Sequence, residues 1–119
     1  KIKIMIDTIL EYCNQMLLSV GFLFIIVGFI MYTFPPKKIN GLYGYRTKSS
    51  MKNQQKWNFA QTYSAKVMML TGLIFAFLSP TKGLFETSET NDTILAVGVM
   101  IIGSVIMILV VEKALKKIK

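Results

Sequence analysis

Met16 to Phe34 reads MLLSVGFLFIIVGFIMYTF, nineteen residues without a charge. At 1.5 Å rise per residue a helix of this length covers nearly the whole hydrocarbon thickness of a bilayer, about 30 Å. Such a run predicts a transmembrane helix. Pro35 and Pro36 follow at once. Neither has a backbone N–H to give, and each pushes the residue before it out of the helical region, so the helix must stop there.

Ile94 to Val111, ILAVGVMIIGSVIMILVV, is a second uncharged run, of eighteen residues. It is rich in β-branched residues, but a lone strand in lipid would leave its backbone groups unpaired, so it too reads as a helix. Tyr63 to Leu78, YSAKVMMLTGLIFAFL, is shorter and carries Lys66. Lys66 stands one turn from its start, where a long side chain can reach back to the headgroups. The expected fold is an all-α membrane protein, a small bundle of three transmembrane helices at about 16–34, 63–78 and 94–111. The second should extend out of the membrane from about residue 50, capped by Ser49 or Ser50, since no Gly or Pro intervenes between Met51 and Gly72. The chain from 1 to 119 forms one domain. Its first fifteen residues place Ile2, Ile6, Ile9, Leu10 and Cys13 at roughly helical spacing, as an interfacial helix or as an extension of the first span. The first long apolar run exceeds a signal-peptide core and no small-residue cleavage pattern follows it, so no cleavable signal is expected.

The hydrophobic residues make up 53% of the chain, and 14 Lys+Arg stand against 6 Asp+Glu, a net charge of +8. In a soluble protein that excess would point to nucleic acid. Here the membrane accounts for it, because cytoplasmic loops collect Lys and Arg, and no nucleic-acid partner is expected. Pro35 to Thr62 holds Lys37, Lys38, Arg46, Lys48, Lys52 and Lys56 with no acid, whereas Ser79 to Thr93 holds Lys82 against Glu86, Glu89 and Asp92. The basic loop 35–62 and the C-terminal tail are therefore expected in the cytoplasm and the N-terminus outside, at a cell membrane crossed several times.

Small residues recur seven apart within the spans: Gly21 and Gly28, Ala65 and Gly72 with Ala76 following, Ala96 and Gly103. On a helix each set forms a stripe against which a neighbouring backbone can come close, which points to a compact bundle. With no His and a single Cys13, the chain offers no metal site, no internal disulfide and no cofactor motif. The basic loop contains no carboxylate or His to activate its hydroxyls, so no catalytic residue is assigned and a non-enzymatic role is expected.

The loop itself has more than charge. INGLYGYRT, Ile39 to Thr47, carries turn chemistry in Asn40-Gly41 and Gly44, and presents Tyr43, Tyr45 and Arg46 in a fixed arrangement. The planar fork of Arg46 suits a backbone carbonyl, a lipid phosphate or a peptide carboxylate. In the helix that follows, Trp57, Gln61, Ser64 and Met68 share the side expected to face the bundle, and Lys52, Lys56, Phe59, Tyr63 and Lys66 the side expected to meet headgroups.

Pro36, Ile39-Asn40, Gly44-Tyr45-Arg46-Thr47, Ser50-Met51, Asn53, Trp57 and Ala60-Gln61 together form P-x2-IN-x3-GYRT-x2-SM-x-N-x3-W-x2-AQ. This pattern resembles the signature of the SdpI family of bacterial membrane proteins. The resemblance implies immunity to a secreted antimicrobial peptide toxin, and in the founding member the holding of a soluble transcriptional repressor at the membrane. It marks Pro36, Asn40, Gly44, Tyr45, Arg46, Thr47, Ser50, Met51, Asn53, Trp57 and Gln61 as structural or partner-contact residues. Glu86, Glu89 and Asp92 in the acidic loop read either as the natural external contact for a cationic toxin or as part of an ordinary solvated connector. The expected partners are membrane lipids, a peptide toxin, a soluble repressor and a second copy of the chain. Competing readings are a membrane tether for a soluble regulator, acting through the basic loop, and a small transporter subunit.

Overall fold

The computed structural model describes residues 1–11, 13–80 and 88–118. Among them are four helices: α1 (Ile2–Glu11), α2 (Gln15–Thr33), α3 (Gln54–Leu78) and α4 (Glu89–Lys116). The last three are long and apolar enough to cross a membrane.

Each of these three starts at a side-chain cap that satisfies an N–H the helix cannot use internally. The Asn14 Oδ1 accepts from Leu17 N–H at 3.1 Å, Asn53 Oδ1 from Lys56 N–H at 2.8 Å, and Ser88 Oγ from Asn91 N–H at 3.2 Å. The sequence reading placed the start of α3 near residue 50; the structure places it four residues later, at Gln54. Ser50 is occupied elsewhere, closing the turn from Thr47 through two reciprocal bonds with that residue, 2.8 and 3.1 Å long. Helix α4 runs beyond the predicted 94–111 at both ends, and carries Glu89 and Asp92 in its first turn and Lys113 and Lys116 in its last, each sign favoured by the helix dipole.

Helices α2 and α3 form an antiparallel pair brought close by the small-residue stripes. A Cβ added at Gly21 would stand 2.7 Å from the Gly72 carbonyl oxygen and 2.9 Å from Ala76 N; one added at Gly28 would stand 2.9 Å from the Ala65 carbonyl oxygen. Backbone thus lies on backbone, which leaves no room for a side chain. Helix α4 packs less tightly, mainly on α3. Its Gly103 makes space for the Phe75 ring, where a Cβ would come within 2.5 Å of a ring carbon. Phe75, Leu17 and Ala96 form one buried cluster, with Phe24 against Phe75 at a centroid separation of 5.4 Å. Ala60, Val111 and Leu115 form a second, nearer the basic loop.

Phe59 and Tyr63 differ from the headgroup-facing placement expected of them. Their rings stack at 5.1 Å and pack on the buried cluster that Ala60 forms with Val111 and Leu115 of α4, because the α3 face that carries them is the one turned to α4 at this level. Lys66 remains exposed and reaches toward the loop end of α2, its Nζ 5.7 Å from the Tyr32 ring centroid. Around the outside, Phe22, Ile26 and Phe29 of α2, Leu73 and Phe77 of α3, and Ile101, Ile102 and Val105 of α4 are exposed. An apolar surface on every side of so small a bundle is stable only against lipid.

Helix α1 is separate from α2 and buries no residue. Ile2, Met5, Ile6 and Ile9 leave an apolar stripe uncovered, so the interfacial alternative fits and a continuous extension of α2 does not. At the break, Asn14 ties three elements: its N–H donates to the Ser79 carbonyl at 2.7 Å and its Nδ2 to the Asp92 carbonyl at 2.8 Å. The start of α2, the end of α3 and the start of α4 are thereby fastened at the end opposite the basic loop.

Candidate functional site: the basic loop and its anchors

The loop from Phe34 to Asn53 has little regular structure of its own, so its backbone must be satisfied by side chains. Asn40 begins this work: its Oδ1 accepts from Leu42 N–H and Tyr43 N–H at 2.9 and 2.8 Å, and its Nδ2 donates to the Lys38 carbonyl. The Tyr43 hydroxyl reaches back to the Phe34 carbonyl at 2.9 Å. Arg46 donates from Nη1 to the Gly41 carbonyl, using its fork on backbone while the rest of the side chain stays exposed.

Gly44 is the hinge of the turn. Its φ of +111° is a conformation that side chains strain, and a Cβ would collide with Gln61 Oε1 and the Pro36 ring. That closeness lets the Gln61 amide grip one residue at both backbone groups. Tyr45 N–H donates to Gln61 Oε1 at 2.7 Å, and Gln61 Nε2 donates to the Tyr45 carbonyl at 2.8 Å. The glutamine, only 1% exposed, takes the part a neighbouring strand would play. One turn earlier the fully buried Trp57 donates from Nε1 to the Pro36 carbonyl at 2.8 Å, and Gln54 Nε2 donates to the Lys37 carbonyl at 2.6 Å. The loop is therefore clamped along α3 at residues 36, 37 and 45.

A further clamp comes from α4. Glu112 Oε2 accepts from the Tyr45 hydroxyl at 2.7 Å and from Thr47 Oγ1 at 3.0 Å. The buried Ser50 donates from Oγ to the Tyr45 carbonyl and holds this corner together. Burial first, and then the hydrogen bond and charge of Glu112, push the Tyr45 phenol far above its ordinary value. The phenol keeps its proton and gives it to the hydrogen bond. The loop's own residues hold no carboxylate, and its acidic partner, which the sequence reading did not assign, comes from α4 as Glu112. The arrangement stabilises a protonated phenol rather than activating it as a nucleophile.

The structure brings Pro36, Asn40, Gly44, Tyr45, Arg46, Thr47, Ser50, Asn53, Trp57 and Gln61 into one hydrogen-bonded and packed unit. Met51 sits half-exposed at the turn, and nothing in the structure explains its place in the pattern. Glu89 and Asp92 lie at the opposite end of the bundle. Glu89 is exposed, Asp92 is buried beside Asn14, and Glu86 lies outside the described residues. Glu112, Asn14 and Gln54 are residues the sequence reading missed. The one available signal for Glu112 was an acid within a tail otherwise basic, directly after a span.

Three membrane-spanning helices joined by a loop locked onto two of them define a small multi-pass helical membrane protein. The sequence profile of the SdpI/YfhL protein family matches residues 37–111, which takes in the whole clamped loop from Lys37, α3 and most of α4. The chain is also 43% identical over 96 residues to the uncharacterized protein YfhL of Bacillus subtilis (strain 168), covering 81% of this chain and 82% of that one. It belongs to the SdpI/YfhL family. No solved structure gives a significant match.

Proposed function

We propose that this chain is an immunity protein of the bacterial cell membrane, protecting its host from a secreted antimicrobial peptide by binding rather than by chemistry. The observation that carries the reading is the family match laid over the clamped loop: the motif residues that define the resemblance are spent on holding loop to helix. They serve as a rigid scaffold for a binding protein. The basic loop and tail face the cytoplasm in this reading, so the acidic end, with Glu89 exposed and Glu86 nearby in sequence, faces the side from which a cationic peptide arrives.

Survival of a toxin-sensitive bacterium expressing the chain tests this, with a panel of membrane-active peptides as challenge and insertion checked by blot. Protection against one peptide and not the others supports immunity. Normal insertion without protection against any overturns it.

One observation favours a second reading. The bonds of Tyr45 and Thr47 to Glu112 join the basic loop to the basic end of α4, and the joined surface could hold a soluble regulator. Co-purification of a repressor encoded beside this gene, lost when Lys48 and Lys113 are both changed to Glu, would support tethering.

A further inference from the structure

Helices α2 and α4 meet only sparsely, and where they part near the basic loop an open groove of about 300 Å³ remains. Its wall, Ser64 apart, is apolar and comes from all three spans: Val27 and Met31 of α2, Met68 of α3 and Met107 of α4. Its mouth is the loop, through Leu42 and Tyr43. Leu42 is 93% exposed, a placement that suits lipid far better than water.

The groove's mostly apolar lining, in a bundle whose outside meets lipid, suits a hydrocarbon chain. Charge decides what that chain is attached to. Residues 35–62 hold six cations and no acid, and the one carboxylate brought to them, Glu112, is taken up by Tyr45 and Thr47; Arg46 is bonded to Gly41, next to Leu42, with the rest of its exposed guanidinium open to an anion.

We propose that this groove is a binding site for one anionic phospholipid, with an acyl chain between α2 and α4 and the headgroup phosphate at Arg46. The methionines favour such a guest, because their flexible thioether chains adapt to an irregular chain. Arg46 then serves twice, stapling the turn through one nitrogen and meeting phosphate through the others. This site is distinct from the acidic end proposed to meet a toxin, so either idea can fail without the other.

Native mass spectrometry of the full chain, released from detergent and titrated with phosphatidylglycerol or phosphatidylcholine, tests the proposal. The expected result is one retained lipid per chain with phosphatidylglycerol preferred at least about fivefold, the factor for one cation at an anionic surface. Arg46→Gln should remove most of that preference, and Met107→Trp should abolish retention by filling the groove. Leu42→Ser, at an exposed position that folding does not depend on, should weaken retention of both lipids and serves if Met107→Trp fails to fold. Equal retention of the two lipids, or retention unchanged in both Leu42→Ser and a folded Met107→Trp, would overturn the site.

Discussion

At the scale of single residues the loop depends on Gln61, Gly44 and Tyr45. Gln61→Leu would leave the Tyr45 N–H without its partner and the Tyr45 carbonyl with Ser50 Oγ alone. An orphaned buried polar group costs about 1–3 kcal/mol, so a loss of about that size is expected from unfolding in detergent; a change below a few tenths would show that the clamp contributes nothing. Gly44→Ala should cost about 1–3 kcal/mol from backbone strain alone, with the collision against Gln61 and Pro36 added. Tyr45 carries a pH signature. Its folded value is raised, so its contribution is fully present below the ordinary tyrosine value of about 10 and is lost as pH rises above it. Alkaline unfolding of the wild type should therefore be steeper above pH ~10 than that of Tyr45→Phe, and equal slopes would remove Glu112 and burial as the cause.

At the scale of elements the α2–α3 pair is held by backbone approach, and the glycines differ in a way that can be measured. Gly72→Ala places a Cβ 2.5 Å from the Gly21 carbonyl oxygen. Backbone cannot give as a flexible side chain can, so the helices must separate, with a stability loss of about 1–3 kcal/mol. Gly98→Ala meets nothing within 4 Å and should be neutral or stabilising by up to about 1 kcal/mol, as expected from helix propensity. Gly103 lies between these cases, because the Phe75 ring it accommodates can shift. If Gly72→Ala and Gly98→Ala unfold alike in the same detergent, close packing of α2 on α3 is not what holds the pair.

At the scale of the whole molecule, the two ends are fastened differently. The Asn14 end joins three helices through backbone carbonyls; the loop end joins them through side chains that gather on Glu112 and Gln61. The molecule is 51 Å long, more than the roughly 40–45 Å of a bilayer with its headgroups, so part of it must stand clear of the membrane. From the charge distribution we propose that the basic end faces the cytoplasm. With Cys13 changed to Ser, a cysteine at Ser49 should be shielded from an impermeant thiol reagent in intact cells and one at Glu89 should react; the reverse pattern would invert the topology.

Hydropathy and length revealed the three spans, because the need to satisfy every backbone group within the lipid is local to each run of residues. The seven-residue spacing of Gly and Ala also anticipated the α2–α3 seam, since a helix turns that spacing into one face. The motif pattern marked the loop. What no local pattern contains is partnership across distance. Glu112 meets Tyr45 and Thr47 from 67 and 65 residues away, and Asn14 meets Asp92 from 78. Such bonds depend on the register and azimuth at which helices dock. The same docking turned Phe59 and Tyr63 toward α4, and the turn closed by Ser50 moved the start of α3 to the cap at Asn53. Sequence by itself determined which segments enter the membrane and where the chain must turn; tertiary packing decided which polar groups meet, because a hydrogen bond needs its two atoms within about 3 Å and only the assembled bundle sets that distance.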